Sequence, residues 1–243
     1  MRLAIAHVVV GLGVGMAGHS ADGVVIAGGS ARVARAWHAE APPVPSGGSP
    51  ASSPVRVPEG DGTPVITDGI FSPGEWNDAL QIALNEAVTL HLKQFRGVVF
   101  IGVRGKGEAG IGPSDLLLAV PGGPIQKLHV SAQLFECVLP ATGPEPSPRF
   151  GLTTDWYANE QRRDMAEAAR LEKEGKRPME ILRATGYPSD GIEFAIRHSK
   201  LPGDRWLMRL WASAIVEGKP GMLAYPTGTA ERTTEGWLEL RFK

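Results

Sequence analysis

The chain reads as a mainly β protein, an antiparallel β-sandwich of jelly-roll type with a helical insertion at about 158–186. Three observations predict it. Short apolar/polar alternations recur, turn residues separate them, and one stretch rich in Ala, Glu, Arg and Lys interrupts the pattern. The 31 Gly and 20 Pro among 243 residues favour many turns over long helices.

The elements follow in order. Val88, Leu90 and Leu92 alternate with Thr89, His91 and Lys93, the pattern of a half-buried strand. Val98-Val99-Phe100-Ile101 and Leu116-Leu117-Leu118-Ala119-Val120 are continuous apolar runs, as in strands covered on both faces. Leu128, Val130, Ala132 and Leu134 alternate with His129, Ser131, Gln133 and Phe135. Ile192, Phe194 and Ile196 alternate with Glu193, Ala195 and Arg197. Trp206, Met208 and Leu210 oppose Leu207, Arg209 and Trp211, and Leu238, Leu240 and Phe242 oppose Trp237, Glu239 and Arg241. Turns are expected at Gly105-Lys106-Gly107, Pro121-Gly122-Gly123 and Pro202-Gly203. The interruption predicts a helix over 160–174, capped by Asn159 and stopped at Gly175, with a second short helix over 178–184. Its apolar stripe is thin, so a solvated excursion is expected, with a docking helix as the alternative.

The N-terminal quarter has a different character. Leu3 to Gly18 is apolar apart from His7 and follows Arg2, the outline of a secretory signal over 1–21, and export is the expectation. A leader produced by a misassigned start is the alternative. The stretch is too short and Gly-rich for a membrane span. Gly13-Val14-Gly15-Met16-Ala17-Gly18 matches a dinucleotide-binding fingerprint, but no strand–turn–helix–strand unit follows it, so that reading is rejected. Residues 22–63 read as a Pro/Ser/Gly-rich disordered linker and 64–243 as the folded domain.

Charge and motifs narrow the function. A formal net charge of −1 supplies no field to recruit nucleic acid or an anionic membrane. One cysteine, Cys137, allows neither an internal disulfide nor a Cys-based zinc site and lies in an apolar run, as an inert thiol does. Nucleophile elbow, zinc-protease and phosphate-loop motifs are missing, and no acid is placed by sequence to orient His129 toward Ser131. Alternation instead puts His129, Gln133, Glu193, Arg197, Arg209 and Trp211 on strand faces opposite the core. If their strands are neighbours, they form a polar, partly aromatic patch suited to sugars, with Trp156 and Trp237 as further stacking platforms.

The run Ile66-Thr67-Asp68-Gly69 through Glu75-Trp76 to Ala79 resembles the opening of the family 9 carbohydrate-binding modules, relatives of the DOMON-like sandwiches. Phe100-Ile101-Gly102-Val103, Glu193-Phe194-Ala195-Ile196 with Lys200-Leu201, and the strand from Trp206 to Trp211 are similar to later landmarks of that family. Lys93-Gln94-Phe95-Arg96-Gly97 departs from its usual acidic or Asn-rich stretch, and Phe100 stands where Tyr is usual. The resemblance implies a non-catalytic module for a glycan or another small polar ligand. It also raises a structural calcium held by Asp68, Glu75 and Asp78, against which stands a simple turn capped by Asp68. Trp76 reads as a core anchor. The alternative function is an assembly domain of an envelope complex docking through 158–186. A haem electron-transfer domain comes third, because inward Met208 and outward His91 and His129 make no axial pair.

Overall fold

The structure is a computed structural model that describes residues 53–107, 109–150, 154–159, 165–177, 180, 181, 184, 189–216 and 219–242. The leader, most of the linker and most of the second predicted helix lie outside the described residues.

Two sheets face each other. The first is antiparallel and runs β2 (Leu80–Ala83), β3 (Val88–Phe95), β4 (Val98–Gly105), β10 (Gly191–Arg197), β9 (Trp156–Ala158). The second runs β1 (Val55–Arg56), β13 (Leu238–Arg241), β11 (Arg205–Val216), β5 (Gly110–Ala119), β6 (Ile125–Val130), β7 (Leu134–Leu139), β8 (Arg149–Phe150). The far half of β11 pairs with β12 (Lys219–Tyr225), so this sheet has eight strands. The mainly β sandwich predicted from alternation is therefore present. No described helix is long and apolar enough to cross a membrane.

The predicted inward residues meet between the sheets. Leu90, Leu92, Ile101, Val103, Ile192, Phe194 and Ile196 of the first pack with Leu116, Leu118, Leu128, Trp206, Met208, Leu210 and Leu240 of the second. Removing this apolar area from water is the main stabilising term of the domain. The β3–β4 connection is a two-residue hairpin in which Arg96 and Gly97 both have positive φ, 50° and 75°, the twist-matched geometry of a type I′ turn.

Two boundaries differ from expectation. The alternation from Leu128 to Phe135 is two strands, split by a tight turn at 131–133 whose Ser131 N–H donates to the Gln133 carbonyl. Because the hairpin preserves the in/out alternation, the sequence shows no break there. The folded domain also starts before Pro64: β1 lies in the expected linker, pairs in parallel with β13, and leads to the fully buried Val57. In the insertion, α1 (Met165–Lys173) carries an exposed Glu167–Arg170–Glu174 ion-pair cluster and buries Leu171. That pattern belongs to a largely solvated helix.

Phe194 is fully buried at the centre of β10. Phe194→Ala should lower unfolding stability by about 3–5 kcal/mol, read as an earlier midpoint in urea titration.

Candidate functional site

Strand parity leaves Thr89, His91, Lys93, Phe100, Gly102, Glu193 and Ala195 on the outer face of the five-stranded sheet, and the segment 57–79 packs over Lys93, Phe100, Gly102, Glu193 and Ala195 and against His91. The cover is held by buried polar groups. Glu193 is 0% exposed; its Oε2 accepts the Asp68 and Gly69 N–H groups at 3.1 and 2.8 Å, and its Oε1 accepts the Trp76 indole N–H at 2.9 Å. Beside it Asn159 accepts the Glu193 N–H and donates to the Gly191 carbonyl. Lys93, also 0% exposed, donates to the carbonyls of Thr63 and Glu75 and to Asp78 Oδ1 at 2.8 Å. Every proton of that ammonium is matched, the condition for burying a charge.

These contacts account for the three carboxylates considered as calcium ligands. Asp68 accepts the Ile70 N–H and so caps its own turn. Glu75 takes the Ile66 and Ser72 N–H groups, and Asp78 pairs with Lys93 and accepts the Asp61 N–H. Among the described residues no group of three or more His, Cys, Asp or Glu is arranged to hold a metal ion. Burial raises the Asp78 pKa, but the Lys93 bond, the Asp61 N–H and the Lys93 charge outweigh it and hold the carboxyl below its usual range.

The cover brings aromatic rings onto the sheet. Phe71 and Trp76 stack at 5.3 Å between centroids and rest on β4 where it has no side chain: a Cβ on Gly102 would lie 2.9 Å from both rings. His91 packs against the same rings at 5.3 and 5.6 Å, and its Nδ1 is buried with no hydrogen-bond partner. Burial, then the charges of Arg104 and Lys106, push its pKa down to about 4, so the imidazole is neutral at pH 7.

The outer face of the eight-stranded sheet is organised differently. A loop over 226–237 covers one end, where Trp237, Leu117, Ala119, Ile125, Cys137 and Leu139 form a second apolar cluster. Trp237 donates its indole N–H to the Ala230 carbonyl, and Arg209, 6% exposed, reaches Thr229 and Glu231 in this loop. Beyond the loop, paired residues line up across the strands: Trp211 opposite Asp115, Asp115 opposite His129, His129 opposite Phe135, and Phe135 opposite Phe150. His129 Nδ1 lies 2.6 Å from Asp115 Oδ1, Lys127 Nζ lies 3.2 Å from Oδ2, and the imidazole stacks on Phe135 at 4.2 Å. Burial raises the Asp115 pKa; the His129 bond and the Lys127 charge overcome this and keep the carboxyl low. With Asp115 ionised, Nδ1 is the donor and Nε2 is the ring's other polar atom.

The predicted residues therefore separate. His129, Arg209 and Trp211 share the face of the eight-stranded sheet, with Gln133 exposed in the turn beyond β6. Glu193 and Arg197 lie on the outer face of the other sheet, across the sandwich, and cannot join the same patch; Glu193 is spent on the cover and Arg197 is exposed at the end of β10. Trp156 is 4% exposed inside the core with its indole N–H on Glu136, and Trp237 is 3% exposed beneath its loop. Of the three tryptophans considered as platforms, only Trp211 remains half-open to solvent, and the three share no cleft. Asp115, Phe135 and Phe150 belong to no motif in the sequence; the one signal is an acid placed directly before the apolar run that starts at Leu116. No protein-family model, curated protein or solved structure matches this chain.

Burial is the largest influence on Glu193 and pushes its pKa up to about 7; the three N–H donors favour the carboxylate, and Glu75 opposes them. The folded state then keeps a proton that the unfolded chain releases, so this group costs stability as pH rises from about 4.5 to about 7. Glu193→Gln should unfold more easily below about pH 5, since its amide would turn a donor toward N–H groups, and the gap should narrow as pH rises. It should also lose that decline, on the order of 3 kcal/mol, in urea midpoints measured across the window.

Proposed function

We propose that the domain is a non-catalytic binding module for a glycan or similar polar ligand, and that the ligand lies along the Trp211–Asp115–His129–Phe135–Phe150 row. The observation that carries the reading is the row itself. A hydrogen-bonded carboxylate–imidazole pair with fixed orientation is bracketed by rings on a sheet face, and Phe150 at its end is 64% exposed. Rings stack on the apolar faces of pyranoses while an oriented imidazole and carboxylate take hydroxyls. From Trp211 to Phe150 the row crosses four strand spacings, roughly 19 Å, which suits an extended chain.

The chemistry around the pair supports binding over turnover. A His–Asp couple resembles part of a hydrolytic triad, but the positions flanking it in the row are rings and carry no hydroxyl or thiol. Cys137, one row away, has its thiol pushed up to about 11 by burial and by Glu145, so it is no nucleophile at neutral pH. The apolar leader at Leu3–Gly18 supports placing the module outside the cytoplasm.

Affinity electrophoresis of the full chain against a panel of soluble polysaccharides checks this. At least one polymer should retard the wild type, and Trp211→Ala should weaken binding about tenfold, the equivalent of 1.4 kcal/mol, with an unchanged melting temperature. Retardation by none, or equal retardation of the variant, contradicts the reading.

A further inference from the structure

The outer face of the five-stranded sheet, across the sandwich from the ledge formed by the Trp211–Phe150 row, holds a recess separate from that row. It has two lobes, about 230 and 270 Å³, which meet at Gln81, His91 and Arg104. Phe71 and Trp76 wall one lobe, and Thr89 and Lys106 line the other. Each lobe alone is below the roughly 300–1,000 Å³ of sites for drug-sized ligands, so one lobe admits a single small ring.

The lining is one-sided in charge. Arg104 and Lys106 are cationic, Gln81 and Asn77 offer amides, and among the described residues no carboxylate lines either lobe. Asp190 comes within 3.9 Å of Arg104, but its Oδ2 already accepts the Phe71 N–H at 3.1 Å. The Arg104 side chain is 45% exposed and its guanidinium lies 5.4 Å from the Phe71 ring centroid, held at the rim with donors to spare. At the floor, His91 is 4% exposed, with its Nδ1 sealed from solvent.

We propose that this cleft binds a small ring-bearing carboxylate. Arg104 pairs with the carboxylate through two parallel N–H bonds, Lys106 adds a second positive charge, and the Phe71–Trp76 wall gives the ring an apolar edge to pack against. The neutral His91 at the floor leaves the positive charge to Arg104 and Lys106. The site is independent of the polysaccharide ledge.

Titration of the ¹⁵N-labelled full chain with D-galacturonate, benzoate, D-galactose, benzyl alcohol and inorganic phosphate tests it, read at the Trp76 indole and Arg104 Nε resonances. Galacturonate, benzoate or both should shift these signals saturably, the choice telling an acidic sugar from an aromatic acid, while the neutral counterparts should not. Arg104→Gln should weaken binding at least tenfold, and Lys106→Gln, on an exposed turn, about threefold with unchanged melting temperature. Trp211→Ala should leave it intact, which separates this site from the ledge. No response to either carboxylate, equal response to the neutral counterparts, stronger binding of phosphate, or full binding by both charge variants overturns the proposal.

Discussion

Glu193 occupies the middle of β10 beneath a covering peptide segment, and a carboxyl group there is tolerable only if its oxygens are satisfied by donors that stay in place. The donors are the Asp68 and Gly69 amides and the Trp76 indole, all from one stretch of nine residues. The acceptor therefore does more than hold a turn. It sets where 68–76 lies on the sheet, so it sets where the Phe71 and Trp76 rings meet Gly102, where the wall above His91 stands, and which polar groups lose contact with water. Lys93 repeats the device two strands away with Thr63, Glu75 and Asp78. Breaking the Lys93 cluster leaves a buried charge uncompensated, and breaking the Glu193 cluster leaves buried N–H groups without an acceptor, which is why such groups cost far more to truncate than surface pairs do.

The opposite sheet shows the other solution to the same problem. Its outer face is covered only at one end, by an apolar patch under Trp237 and a buried Arg209 tied to the loop. The remainder stays half-open, and its polar groups satisfy each other: Asp115 with His129 and Lys127, and Lys127 with Glu145. A covered face with a recess at its margin and an open face with an aromatic row thus follow from how each sheet disposes of its outward side chains.

Much of the fold was legible, for a physical reason. Period-two alternation reports which side of a strand is dry, so the inward sets of β3, β10, β11 and β13 stood out, as did the outward position of every residue nominated from those strands. Alternation says nothing about which strands are neighbours. Glu193 and Trp211 looked equivalent in sequence and lie on opposite sides of the sandwich, because sheet membership is set by long-range pairing. Parity also does not separate outward from exposed: Lys93, His91 and Glu193 point away from the core and are among the most buried polar groups. Trp237 reads as outward and is sealed by a loop, while Asp115 was passed over because it adjoins an apolar run. The early start at β1 was hidden because a two-residue parallel edge strand leaves no pattern in a Pro-rich stretch.

An anchored cover is held as firmly as the sheet beneath it. Native-state hydrogen exchange of the Asp68 and Gly69 amides and the Trp76 indole N–H measures this directly. If Glu193 anchors the segment, these three protons exchange with the slow rates of the central β4 and β10 amides. Exchange at the rate of exposed turns, with β4 and β10 still protected, would show that the cover opens independently and that Glu193 does not organise the face.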